Sequence, residues 1–149
     1  MADEVKTVVE KKRKSRKKKQ IVSRGKRKEA VARAYIKAGK GVIRVNGLLL
    51  NAFDNPYTKQ IIAEPLSFLQ EPFDFDISVT TQGGGVMGQA QAARTAIARA
   101  LIEFRKDGEE LKKQFLAFDR SLFIEDARRV EPKKFKGPKA RARFQKSYR

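Results

Sequence analysis

Between residues 73 and 106 the hydrophobic period of the chain changes once, and that change restricts the fold more than any other feature. In Phe73-Asp-Phe-Asp-Ile-Ser-Val-Thr-Thr-Gln82 apolar and polar residues alternate. Phe73, Phe75, Ile77 and Val79 fall on one face, and Asp74, Asp76, Ser78 and Thr80 on the other. A two-residue period predicts a half-buried strand. After Gly83-Gly-Gly85 the period lengthens: Ala90, Ala93, Ile97, Ala100, Leu101 and Phe104 recur at helical spacing, with Gln89, Arg94, Arg99 and Arg105 displaced from that stripe. Strand, glycine turn and helix are the expected middle of the fold.

The glycine run supports two readings. Residues without Cβ let another backbone come close, and the free amides of a first helical turn suit an anion such as phosphate. The run lacks the Gly-Lys-Ser/Thr ending of a nucleotide P-loop, and it lacks the setting of a dinucleotide fingerprint. A tight strand-to-helix turn packed on a neighbour explains it equally well.

On either side the pattern is mixed. Residues 29–37 are rich in alanine and ambiguous between helix and strand. Gly39-Lys-Gly41 and the β-prone Val42-Ile-Arg-Val45 favour a hairpin between the two segments, with Asn46-Gly47 as the next turn. Residues 57–63 read as a short helix burying Ile61 and Ile62, and Pro65 opens another helical turn through Leu69. Residues 109–118 read as a second long helix with Leu111, Phe115 and Phe118 on one side, and Ser121-Leu-Phe-Ile124 as a short last strand. About a hundred residues patterned this way predict an α+β or α/β domain, one sheet with helices packed on it.

The 149 residues contain no cysteine and no histidine. Disulfides, thiol nucleophiles, cysteine or histidine zinc sites and imidazole acid–base catalysis are therefore excluded. No metal or cofactor is expected. The first twenty residues have no apolar signal region and no run is long enough to span a bilayer, so an intracellular, soluble protein with no membrane partner is expected.

The net charge of +18 is unevenly placed. Residues 11–28 hold twelve Lys/Arg and no acid, and residues 127–149 hold ten against the single Glu131. Residues 29–126 carry twelve bases and thirteen acids. The expected division is a basic extension (1–28), a nearly neutral globular domain (29–126) and an extended basic tail (127–149). A basic arm of that composition buries nothing and is suited to lie along a polyanion, releasing counterions from each phosphate it neutralises. Arginine forks fit phosphate oxygens, and Phe144 or Tyr148 can stack on an unpaired base. Two arms on a neutral globule suit a folded RNA. A DNA-compacting architectural protein is the rival of another class, and a nucleotide enzyme using Asp74 and Asp76 beside the glycine run is a third.

Four motifs occur in order: Gly25-Lys-Arg-Lys-Glu-Ala-Val-Ala-Arg33, Gly83-Gly-Gly-Val-Met-Gly-Gln-Ala-Gln-Ala-Ala-Arg94, Asp126-Ala-Arg-Arg-Val-Glu-Pro-Lys-Lys-Phe135 and Gly137-Pro-Lys-Ala-Arg-Ala-Arg-Phe-Gln-Lys-Ser-Tyr-Arg149. Together they resemble the family of small-subunit ribosomal protein nine, over roughly residues 22–149. The ending Gln145-Lys-Ser-Tyr-Arg resembles the archaeal and eukaryotic branch, where bacterial members usually end Ser-Lys-Arg. The resemblance implies a mixed four-stranded sheet with helices on it, as in the second domain of small-subunit protein five. It implies a structural, non-enzymatic place in the head of the cytoplasmic small ribosomal subunit, among neighbouring head proteins. The tail would reach the anticodon stem-loop of peptidyl-site tRNA.

Charge and resemblance together assign ribosomal RNA contacts to Arg24, Lys26, Arg27 and Lys28, to Gly83, Gly84, Gly85, Gly88, Gln89 and Arg94, and to Arg128, Arg129, Lys133, Lys134, Lys136, Lys139, Arg141 and Arg143. By position, tRNA contacts fall on Lys146, Ser147, Tyr148 and Arg149. Tyr148 stands where bacterial members have lysine, which exchanges a phosphate contact for a ring or hydroxyl contact.

Overall fold

The computed structural model describes residues 20–69 and 73–147. Strand β1 (Ile21–Arg27) turns through Lys28 and Glu29 into β2 (Ala30–Ala38), the two pairing antiparallel from Ile21↔Ile36 to Arg27↔Ala30. The short β3 (Ile43–Val45) and β4 (Leu48–Leu49) form a hairpin around Asn46-Gly47. Both turn residues have positive φ, 50° and 86°, as the favoured two-residue hairpin turn requires. Helix α1 (Pro56–Ala63) starts with Pro56 in its first turn, and the Asn55 side chain accepts the Tyr57 N–H at 3.0 Å. Then come β5 (Phe75–Gln82), α2 (Val86–Phe104) and α3 (Gly108–Phe118).

The sheet is mixed, in the order β1-β2-β5-β3-β4, with β3 parallel to β5 and the other pairs antiparallel. It has five strands rather than the expected four, the extra one being the two-residue β4. The hairpin expected between residues 29–37 and 42–45 does not form, because β5 lies between them. The connection is braced by β5 itself. The Asp76 carboxylate accepts the N–H groups of Lys40 (2.9 Å) and Val42 (3.1 Å), and Gly39 N–H donates to the Asp74 carbonyl.

Two further expectations fail. Composition places residues 21–27 in the basic extension, yet they are the edge strand of the sheet, so that boundary cuts through the fold. Residues 121–124 do not form a strand. A 3-10 turn (Arg120–Leu122) sits there with Leu122 fully buried.

The core explains the alanines. Ala30, Ala32, Ala34 and Ile36 of β2 face Ala90, Ala93, Ala96, Ile97, Ala100 and Leu101 of α2, all buried. Small side chains on both sides let the helix lie close to the sheet. At Gly25 a Cβ would come 2.2 Å from the Ala92 carbonyl oxygen and 2.6 Å from Ala96 N, so only glycine fits beneath α2. Helices α1 and α3 flank α2, with Ile62, Leu111 and Phe115 completing one cluster. The helices all lie on one side of the sheet.

Candidate nucleic-acid interface

At the glycine turn the chain approaches itself. Gly83 and Gly84 have φ of 73° and 63°. A Cβ on Gly83 would stand 2.7 Å from the Glu29 carbonyl oxygen, and one on Gly84 2.9 Å from Ala30 N. Gly88 meets the same β1–β2 corner at ordinary contact distance, 3.5 Å from the Ala30 Cβ. The Gln89 amide donates to the Gly83 carbonyl at 3.1 Å and holds the turn. Packing within the domain therefore accounts for Gly83, Gly84 and Gln89, whereas at Gly88 a Cβ would be accommodated. Gly85 differs, with nothing within 4 Å of a Cβ there and ordinary negative φ, at the open start of α2. Asp74 and Asp76 lie at the opposite end of β5 from this turn, about 20 Å away by strand rise. That separation removes the carboxylate–glycine pairing on which a nucleotide enzyme would depend.

Two of the expected RNA-contacting arginines point inward. Arg94, on α2, donates to Glu64 and Ser121 and, at 2.8 Å, to Asp119. Arg27 donates from Nε to Gln91 Oε1 at 2.8 Å, and its Nη1 lies 3.1 Å from the Asp126 carboxylate. Arg99, not among the expected contacts, donates to the Phe123 carbonyl, the Arg24 carbonyl and Glu125. These three side chains fasten residues 119–126 onto α2 and β1. Their targets lie 24 to 99 residues away in sequence, so no local pattern separates an inward arginine from an RNA-facing one. Sequence reasoning missed Arg99 for the same reason.

The acids in this region respond to those cations. Burial pushes the Asp119 carboxyl up, but hydrogen bonds from the Ser121 hydroxyl and N–H and from Arg94 outweigh it and hold the group below its ordinary value. Asp126 lies well below the carboxylate range, chiefly through the side-chain hydrogen bond from Arg128, whose own pKa is raised in return. Lys26, Arg27, Arg94 and Arg128 meet Asp119 and Asp126 around one polar cavity at the root of the tail.

By register Lys26 and Arg24 take the β1 positions that alternate away from the helices, but at this edge Lys26 also lines that cavity and Arg24 Nε lies 3.8 Å from Glu125; Lys28 is at the exposed tip of the β1–β2 turn. The register places Arg24 directly opposite Arg33, and Arg33 opposite Thr80. Two residues along, Val22, Tyr35, Ser78, Arg44 and Leu49 form a row across all five strands. Arg33, Tyr35 and Arg44 are absent from the expected contacts. The alternating positions of β2 and β3 carried the signal, but it is readable only once the strands are paired.

Beyond the 3-10 turn no described residue enters a helix or strand. Arg128, Arg129, Lys133, Lys134, Lys136, Lys139, Arg141, Arg143, Lys146 and Ser147 are exposed; Tyr148 and Arg149 fall outside the described residues. The segment is not simply extended. Arg141 donates to Glu131 at 2.9 Å across ten residues, and Lys134 lies 3.8 Å from the same carboxylate. Gly137 is buried in the loop so closed, a Cβ there falling 2.1 Å from the Ala142 carbonyl oxygen. Phe135 projects from the loop, 88% exposed.

Comparison with known proteins gives a family-model match over residues 25–149, to ribosomal protein S9/S16. The chain belongs to the ribosomal protein S9/S16 family. Proteins named small ribosomal subunit protein uS9 from Methanothrix thermoacetophila and Thermoplasma acidophilum are each 45% identical over 130 residues, covering 87% of this chain and 98% and 100% of theirs. The protein of that name from Candida glabrata is 46% identical over 133 residues, 84% of this chain and 93% of its own. The S9/S16 match begins inside β1, before residue 29, in keeping with a sheet that includes that strand.

Proposed function

We propose that this chain is a structural constituent of the cytoplasmic small ribosomal subunit. It binds ribosomal RNA in the subunit head beside neighbouring head proteins, and its tail reaches peptidyl-site tRNA. The observation that carries the reading is family membership over residues 25–149, joined to a charge pattern that concentrates cations on the ends of a nearly neutral domain. The tail's cations support it: among the described residues their hydrogen bonds and ion pairs reach no further into the domain than Asp126. Lys133, Lys136, Lys139, Arg143 and Lys146 make no ion pair among the described residues and are available to phosphates, and Phe135 offers a ring for stacking.

With Arg27 and Arg94 engaged inside the fold, the proposed ribosomal RNA contacts rest on Arg24, Lys26, Lys28, Gly85, Gly88 and the tail. Co-sedimentation with small subunits in high salt tests the assignment, and a protein that washes off as free chain contradicts it. The tRNA contact is tested on subunits assembled with the full chain or one lacking Lys146, Ser147, Tyr148 and Arg149. The shortened chain should incorporate normally while peptidyl-site tRNA dissociates faster, several-fold if each lost contact is worth about 1 kcal/mol after compensation. Equal dissociation rates would end the tail elsewhere.

Substitutions separate the two roles of the glycine turn. Gly84→Val places a β-branched residue at positive φ against Ala30 and should lower stability by about 2–4 kcal/mol, read as a lower melting temperature of the free protein. Gly85→Ala meets no neighbour and should melt only slightly below the parent, by the few tenths to about 1 kcal/mol that alanine costs at the N-cap of α2. If RNA backbone approaches the start of α2, Gly85→Ala weakens RNA binding all the same. Full binding by Gly85→Ala would leave the turn with a packing role alone.

A further inference from the structure

We propose that the open face of the sheet is a second RNA-docking surface, separate from the tail, with Arg24, Arg33 and Arg44 as its phosphate contacts. The inference rests on the RNA-binding reading above and assigns it a surface.

The strongest observation is the direct opposition of Arg24 and Arg33 on neighbouring strands. Like charges facing each other across an antiparallel pair destabilise it. A surface that needed only to be soluble would gain nothing from this placement, because the same cations two residues apart on different strands repel less. Among the described residues a carboxylate reaches only one side of the conflict: Glu125 Oε1 forms a loose ion pair with Arg24 Nε at 3.8 Å while accepting from Arg99 at 2.8 Å, and Arg33 stays uncompensated. Asp76 lies near the far end of the face, where it holds the Lys40 and Val42 N–H groups. The Arg33 and Arg44 side chains make no hydrogen bond or ion pair with any described residue.

The rest of the face fits a nucleic acid better than a protein. Arg44 lies two strands from Tyr35, roughly 10 Å at ordinary strand spacing, so cations stand at both sides of a shallow platform. Between them lie the Tyr35 ring and the hydroxyls of Ser78 and Thr80, groups able to meet a ribose or a base edge. Lys26 extends the positive row toward the glycine turn, beside Val31 and Gln82. The whole arrangement is carried by paired strands, so the cations are spaced before RNA arrives and little ordering entropy is lost on docking.

The test uses the full chain, the double variant Arg33→Gln/Arg44→Gln, and a chain ending at residue 126. The probe is a complete small-subunit ribosomal RNA transcript, with an unrelated RNA of equal length as control. The double variant should bind about tenfold or more weakly, with the slope of log affinity against log salt reduced by about two. It should lose hydroxyl-radical protection at nucleotides that the tail-less chain still protects. Its melting temperature should be unchanged or higher, because Arg33→Gln relieves the opposition to Arg24; a merely structural role predicts a lower one. Wild-type protections and salt slope in the double variant would overturn the proposal and leave the tail as the RNA contact. Unchanged RNA protections with failure to recruit a neighbouring protein into reconstituted subunits would also overturn it, giving the face to an acidic protein. If the full chain binds ribosomal RNA no better than the control RNA, it is the function above that fails, with the double variant as its internal comparison.

Discussion

Removing residues 1–28 is expected to abolish cooperative folding, whereas removing residues 1–19 leaves every contact described above in place. The difference is β1. Its seven residues pair with β2, and Ser23 and Gly25 are buried against α2. The Arg24 carbonyl receives Arg99, and Arg27 ties Gln91 and Asp126 together. Without the strand, Ala92 and Ala96 of α2 lose their cover and Asp126 loses its partner on the domain. A ladder of backbone hydrogen bonds worth about 1 kcal/mol net each, plus the uncovered helix face, equals most of the stability of a domain this size. Thermal melting by circular dichroism on chains starting at residues 20 and 29 is the measurement. A sharp transition at the parental temperature for the shorter chain would show that β1 is an accessory.

Arg94→Met is expected to destabilise the protein by about 3 kcal/mol at neutral pH and to do less harm in acid. The substitution keeps the aliphatic stem and removes the one cation that Glu64 and Asp119 share. Breaking a largely buried ion pair from one side leaves charge without compensation, which costs more than the pair contributes. The sign with pH follows. In the parent, the lowered pKa of Asp119 gives stability that is present above its ordinary value of 3.8 and lost as pH falls through the depressed value. In the variant the part of that lowering due to Arg94 is gone, so less stability is lost when Asp119 is protonated. The gap in melting temperature between parent and variant should hold level above the ordinary value of 3.8 and narrow as pH falls below it. A gap that stays constant would mean that lost packing, not charge, is the cause.

Parts of this architecture were legible in the sequence and parts were not. The strand, turn and helix from Phe75 to Phe104 could be read because each element buries a single face and so shows its own period. The Asn46-Gly47 turn was legible from local chemistry alone. β1 was not, because alternate positions of a one-sided edge strand are free to be Arg or Lys, and Ile-Val-Ser-Arg-Gly-Lys-Arg then has the composition of a tail. The pairing of β3 with β5 instead of β2 escaped because strand neighbours are chosen by the assembled core. The interface divides in the same way. Exposed cations in the tail could be named from charge, but Arg94 and Arg128 look alike until Glu64 and Asp119 are folded beside one of them. The opposition of Arg33 to Arg24 was invisible in the sequence because it exists only once the strands are paired.

The two edges of the sheet are closed to other chains by different means. β4 is too short, at two residues, to template a new strand. β1 is long enough, but it carries Arg24 and Lys26 and follows the eight cations of residues 11–19. Two copies approaching edge to edge bring those charges together, and the approach fails while the charges are bare. The same side chains thus guard the one edge strand long enough to pair with a second copy.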